Sequence, residues 1–130
     1  MNKIFYSFII IFLFNSCSKS GGSSPPEPKI QFSIDASNAS VSIGNTFPVV
    51  VTLTSAMPSS KGIMIETIVT DQNTNGLLTQ NPVTISTASS NTIHIINLIQ
   101  QHWSNVTIKV SSVDSSAANN SSKNFTVVYK

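Results

Sequence analysis

From Ile30 to the end of the chain, apolar residues recur at every second position in short runs, and polar breaks separate the runs. Ile30, Phe32 and Ile34 alternate with Gln31, Ser33 and Asp35, and Phe47, Val49, Val51 and Leu53 share one face of TFPVVVTLTSAM. Val83/Ile85, Ile93/Ile95, Val106/Ile108/Val110 and Phe125/Val127/Tyr129 repeat the pattern. A period of two sends alternate side chains to opposite faces of an extended chain, so each run predicts a half-buried β-strand. GIMIETIVTDQ is apolar on both faces, with Ile63 and Ile65 against Met64 and Ile68, as suits a central strand covered on both sides. No segment sustains a helical period. The pattern predicts an all-β domain over residues 30–130: seven main strands and a short Val41/Ile43 extension, with Gly, Asn, Ser and Pro marking the turns.

The amino terminus follows another rule. MNKIFYSFIIIFLFNSC opens with Lys3 and continues into an apolar stretch of eleven residues from Ile4 to Phe14. A bilayer-spanning helix needs about 20 such residues. A short apolar core with a basic flank reads instead as a secretory signal peptide over residues 1–16. SKSGGSSPPEPK (residues 18–29) then offers no apolar side chain to bury, and its glycines and prolines give a tether of roughly 40 Å at full stretch, about 20 Å as a coil.

Composition narrows the chemistry. Seven lysines, no arginine and five acids give a net charge of +2 over 130 residues, and the lysines stand singly, so no basic patch exists for nucleic acid. Solubility rests on uncharged Ser, Thr and Asn, which compete with helical backbone bonds and suit strands and turns. One cysteine, Cys17, excludes an internal disulfide and a multi-cysteine zinc site. No cofactor is expected.

The segment Leu13-Phe14-Asn15-Ser16-Cys17 resembles the lipobox of bacterial lipoproteins, a small residue followed by cysteine at the end of a short apolar core. The resemblance implies that Cys17 becomes the acylated first residue of the mature chain, with 17–29 as its linker. Each buried methylene contributes about 0.8 kcal/mol, so several acyl chains anchor a small domain durably. Ser18 in place of an acidic residue implies, by the same resemblance, export to the outer membrane.

The strand count, the 8–15-residue turn spacing and a 101-residue domain resemble the immunoglobulin-like and fibronectin-type-III-like β-sandwiches of bacterial surface lipoproteins. In NLIQQHWSNVTIKVSSV, Leu98 sits where such a domain closes one strand before a short corner and the next alternating strand. The chain departs from antibody-type domains in having no tryptophan on its third strand and no cysteine pair across the sheets. The resemblance implies a seven-stranded antiparallel immunoglobulin-like sandwich. It specifies fold class and not function.

Candidate sites are few. DQNTNG places Asp71, Asn73 and Asn75 at positions 1, 3 and 5 of a calcium loop with Gly76 at position 6, but position 12 is Pro82 and the loop carries one charge. Asn-Gly is also a strong hairpin signal, and the hairpin is the favoured reading, with no metal. Trp103, the sole tryptophan, lies beside His102 at a strand corner, where it either plugs the open end of the core, the favoured reading, or serves with His102 as a ligand contact. His94 and His102 lack a metal spacing, no G-x-S-x-G occurs, and the acids are dispersed, so a non-enzyme is expected. Val50, Met64, Ile68, Ile96 and Val128 fall on nominally outward faces and would form a partner surface if they cluster. The expected function is a membrane-anchored envelope module binding a protein or an extracellular glycan, or else a structural spacer without a ligand.

Overall fold

A computed structural model describes residues 25–130. The expected signal peptide, Cys17 and the first part of the expected tether lie outside the described residues.

Nine strands form two sheets, and the described residues contain no helix. The smaller sheet has the order β1 (Phe32–Ile34), β3 (Phe47–Leu53), β7 (Ser90–Ile95), all antiparallel. The larger sheet runs β2 (Ala39–Ser42), β9 (Asn120–Tyr129), β8 (Trp103–Ser112), β4 (Ile63–Asp71). Two short strands share the far edge of β4: β5 (Leu77–Leu78) at its end and β6 (Thr84–Ser86) at its start.

The count of nine corrects the expected seven. The Val41/Ile43 extension is a strand of its own, and LL at Leu77–Leu78 pairs across the Asp71–Gly76 loop. The all-antiparallel expectation is corrected as well, because β2 runs parallel to β9, with Val41 opposite Val128. The chain leaves β1 on one sheet and, within a few residues, joins the edge of the other as β2 beside the last strand.

Both inner faces carry the predicted runs. Phe32, Val49, Val51, Leu53, Ile93 and Ile95 of the smaller sheet meet Ile63, Ile65, Val69, Val106, Ile108, Val110, Phe125 and Val127 of the larger. Deep burial of this many branched side chains supplies the main drive for folding. The Phe47 and Phe125 rings bridge the layers with centroids 6.2 Å apart, in a tilted arrangement suited to aromatic pairs. Pro48 is tolerated inside β3 because β1 pairs only with Val51–Leu53, so no neighbour needs the missing N–H on that side.

The tether does not end as a free coil. The Glu27 carboxylate accepts hydrogen bonds from Ser112 Oγ at 3.1 Å, Asn119 Nδ2 at 3.2 Å and the Ser115 hydroxyl, and Asn119 also donates to Pro28 O at 2.9 Å. Asn119 Oδ1 in turn accepts from Ile30 N at 3.0 Å. The chain therefore enters the domain at the end of the sandwich where β8 finishes.

Candidate surface around Trp103

The opposite end is built around the corner from Asn97 to Trp103. Leu98, 5% exposed, plugs the core beneath it, and its N–H donates to Asn45 O at 3.0 Å. Asn97 and Gln101 hold left-handed backbone, φ 59° and 62°. Asn adopts that region readily, whereas Gln pays a steric cost there. Two bonds hold the second bend: Gln101 N to Tyr129 O at 2.6 Å and His102 N to Ile99 O at 3.1 Å. This bend fixes the phase of β8. Ser104, Val106 and Ile108 point inward, so Trp103 and Asn105 point outward.

Trp103 is 40% exposed, which corrects the favoured expectation that it plugs the core; Leu98 takes that role. Its cross-strand partner is Val128, and the next partner along is Val41. The three side chains make an apolar row across β8, β9 and β2, with Val128 only 6% exposed between its neighbours and Val41 at 51%. Ile43, just beyond β2, is almost fully exposed. Of the residues expected outward, Val128 joins this row, while Ile68 stands exposed on β4 apart from it. Sequence pattern missed Val41 as a member because a parallel partner for β2 leaves no mark in the period-two alternation.

One pleat further along the same face the lining changes to amides and hydroxyls. Asn105 and Thr107 of β8, Thr126 and Asn124 of β9, and Asn38 border a shallow groove of about 430 Å³, which Val106 and Phe125 also line. Asn105 Oδ1 accepts from Gln72 Nε2 at 2.7 Å, and Thr126 Oγ1 donates to Asn38 O at 3.0 Å. No charged side chain lines it.

Beneath Trp103 lies a polar cluster. Asp71, fully buried at the end of β4, accepts from Thr74 Oγ1 at 2.6 Å and Thr74 N at 3.0 Å through Oδ2, and from His102 Nδ1 at 3.0 Å through Oδ1. The Thr74 hydroxyl, helped by the Thr74 and Asn73 amides and by His102, holds the Asp71 carboxyl below its ordinary value, against the opposing effect of burial. The expected hairpin is present: Asp71 N donates to Gly76 O at 2.9 Å, and Asn75 takes the left-handed turn at φ 56°. Both Asp71 oxygens are thus committed to the loop and to His102. No group of three metal-ligating side chains occurs among the described residues.

Ser104 is the register partner of Asp71, so serine, histidine and aspartate meet at one corner. A nucleophilic triad needs the histidine bonded to an accessible hydroxyl. Ser104 Oγ is fully buried and has no hydrogen-bond partner, so only the Asp–His half of that arrangement exists. The cluster braces the corner: Gln72 N donates to Trp103 O at 2.9 Å, tying the hairpin to the start of β8. His94, by contrast, stands exposed on β7 opposite Pro48 and joins neither group.

No family model, curated protein or solved structure matches the chain.

Proposed function

We propose that this chain is a lipid-anchored envelope lipoprotein whose domain is immunoglobulin-like and binds a partner through the outer face of its larger sheet. The immunoglobulin-like reading is supported by the pairing order: β1-β3-β7 faces β2-β9-β8-β4, and the first chain segment contributes β1 to one sheet and β2 to the other. The observation that carries the binding reading is the apolar row in which Trp103 and Val41 stand exposed on either side of the buried Val128. Aromatic and branched side chains left in water on a rigid face are characteristic of contact surfaces.

Anchoring and presentation fit together. β8 runs ten residues from Trp103 to Ser112, so the apolar row lies about 30 Å from the end where Glu27 docks. A tether fixed by acyl groups at Cys17 would hold the Glu27 end toward the lipid and turn the Trp103 end away from it. Nothing in this role requires chemistry of the Asp71–His102 pair beyond holding the corner.

Two measurements test the reading. Replacing Cys17→Ser should move the protein from the membrane fraction to the soluble envelope fraction; an unchanged distribution would end the lipid-anchor proposal. A photo-crosslinking residue at Ile43 should yield a covalent adduct in intact cells, whereas one at Ser33, on the smaller sheet, should not. Equal silence at both positions would leave the domain a spacer.

A further inference from the structure

We propose that the groove beside Trp103 binds a neutral glycan, the indole stacking on a sugar ring and the groove amides and hydroxyls pairing with its hydroxyl groups. This deepens the partner-binding reading and rests on it.

Two observations point to that ligand class. Trp103 presents an exposed indole on a fixed strand, its carbonyl held by Gln72 N and Val128 its register partner. An aromatic face of this kind accepts the C–H face of a pyranose, which is apolar on one side and polar at its edge. Next to it, Asn105, Thr107, Asn124 and Thr126 supply amides and hydroxyls with no charged group among them. A charged ligand would find no counter-charge there, and an apolar one would strand the amides, whose unpaired burial is costly. A polyhydroxylated neutral molecule satisfies both, because each of its hydroxyls donates and accepts.

The internal bonds sharpen the match. Since Asn105 Oδ1 is taken by Gln72, its Nδ2 is left to donate; since Thr126 Oγ1 donates to Asn38 O, its lone pairs are left to accept. Asn105 and Thr126 are register partners, so this donor and this acceptor stand side by side and can serve a vicinal pair of sugar hydroxyls. Both groups are held before the ligand arrives, which lowers the ordering cost of binding. From Trp103 to Thr107 the face extends about 13 Å, room for a short oligosaccharide rather than a single ring.

The test uses the full chain, extracted in a detergent without a sugar headgroup. Trp103 is the sole tryptophan, so its emission reports the site directly. Titration with neutral oligosaccharides built from glucose, mannose or xylose should shift or quench that emission for at least one of them, while uronic-acid oligosaccharides should not. In affinity electrophoresis on the matching polysaccharide, Trp103→Ala should abolish retardation and Asn124→Ala, at an exposed position, should weaken it by about tenfold. Circular dichroism confirms that both variants fold. Absence of any emission change across the neutral panel overturns the proposal, as does binding that survives both substitutions. If the neutral panel fails but the Ile43 crosslink still captures an envelope protein, the glycan fails and the partner-binding reading stands. If both fail, both readings end together.

Discussion

Ser104 carries a hydroxyl that is buried at the end of β8 without a hydrogen-bond partner, directly across from the Asp71 carboxylate that Thr74 and His102 occupy. A buried polar atom left unpaired costs roughly 1–3 kcal/mol, whereas removing it altogether is often neutral or favourable. Ser104→Ala should therefore stabilise the domain by about 1 kcal/mol, raising the thermal midpoint by roughly 5 °C. A thermal melt followed by circular dichroism checks this, and a loss of stability would mean that the hydroxyl is paired in solution. The composition of this corner was only half legible in sequence. Asp71 was visible as a turn residue and His102 as a loop residue, yet they lie 31 positions apart and nothing local announces their bond. Trp103 was visible by type, but its direction was not. Its outward aim depends on the left-handed bend at Gln101, a conformation that glutamine does not advertise.

At the scale of elements, alternation located β1, β3, β7, β8 and β9 because each has one face against the core, and burial of that face is what the period of two records. β4 was legible as an apolar run, but the expected cover on both faces is corrected: Ile63, Ile65 and Val69 are buried while Ile68 is exposed on the outer face. Of the short strands only β5 escaped, because its two residues carry no alternation; Val83/Ile85 marked β6, and β2 was marked only as the Val41/Ile43 extension. β6 shows an apolar alternation, yet Ile85 is 64% exposed, since the strand only extends an edge of β4. The turn into β4 was marked by PSSKG, and the structure shows why its glycine is required. Gly62 has φ 89°, and a Cβ there would lie 2.2 Å from the backbone oxygen of Ser86. Backbone cannot swing aside as a flexible side chain can, so Gly62→Ala must either part β6 from β4 or distort the turn. It should cost about 3 kcal/mol or more in a urea titration, placing it among the severe single substitutions. Gly44→Ala is the control: no atom lies within 4 Å of its added Cβ, and its cost should stay within about 0.5 kcal/mol. Equal midpoints for the two variants would refute the steric account.

For the molecule as a whole, what matters is that its two ends differ. One end receives the chain from the tether, and the other presents the Trp103 row. The composition of SKSGGSSPPEPK led to the expectation of a linker and carried no sign that Glu27 docks, because the donors come from Ser112, Ser115 and Asn119, more than 80 residues away. That docking has a pH signature. The Ser115 hydroxyl first, then Asn119 and Ser112, hold the Glu27 carboxyl below its ordinary value, against partial desolvation and the nearby Asp114 charge. A depressed folded-state value means that the contact contributes fully above the ordinary carboxylate pKa of about 4.3 and is lost as pH falls through the lowered one. Protection of the Ile30 amide, its exchange rate taken relative to the intrinsic rate at each pH, should then be high at neutral pH and fall on acidification below about pH 4, before Val106 and Ile108 in β8 lose protection. Asp71 also weakens in acid, so the comparison that isolates the clamp is Glu27→Ala. That variant should show low protection at Ile30 at every pH, with β8 unchanged at pH 7. If protection at Ile30 in the native chain is instead independent of pH, Glu27 does not hold this segment. Under the proposed anchoring, the Trp103 end would then be free to turn relative to the membrane rather than being held away from it.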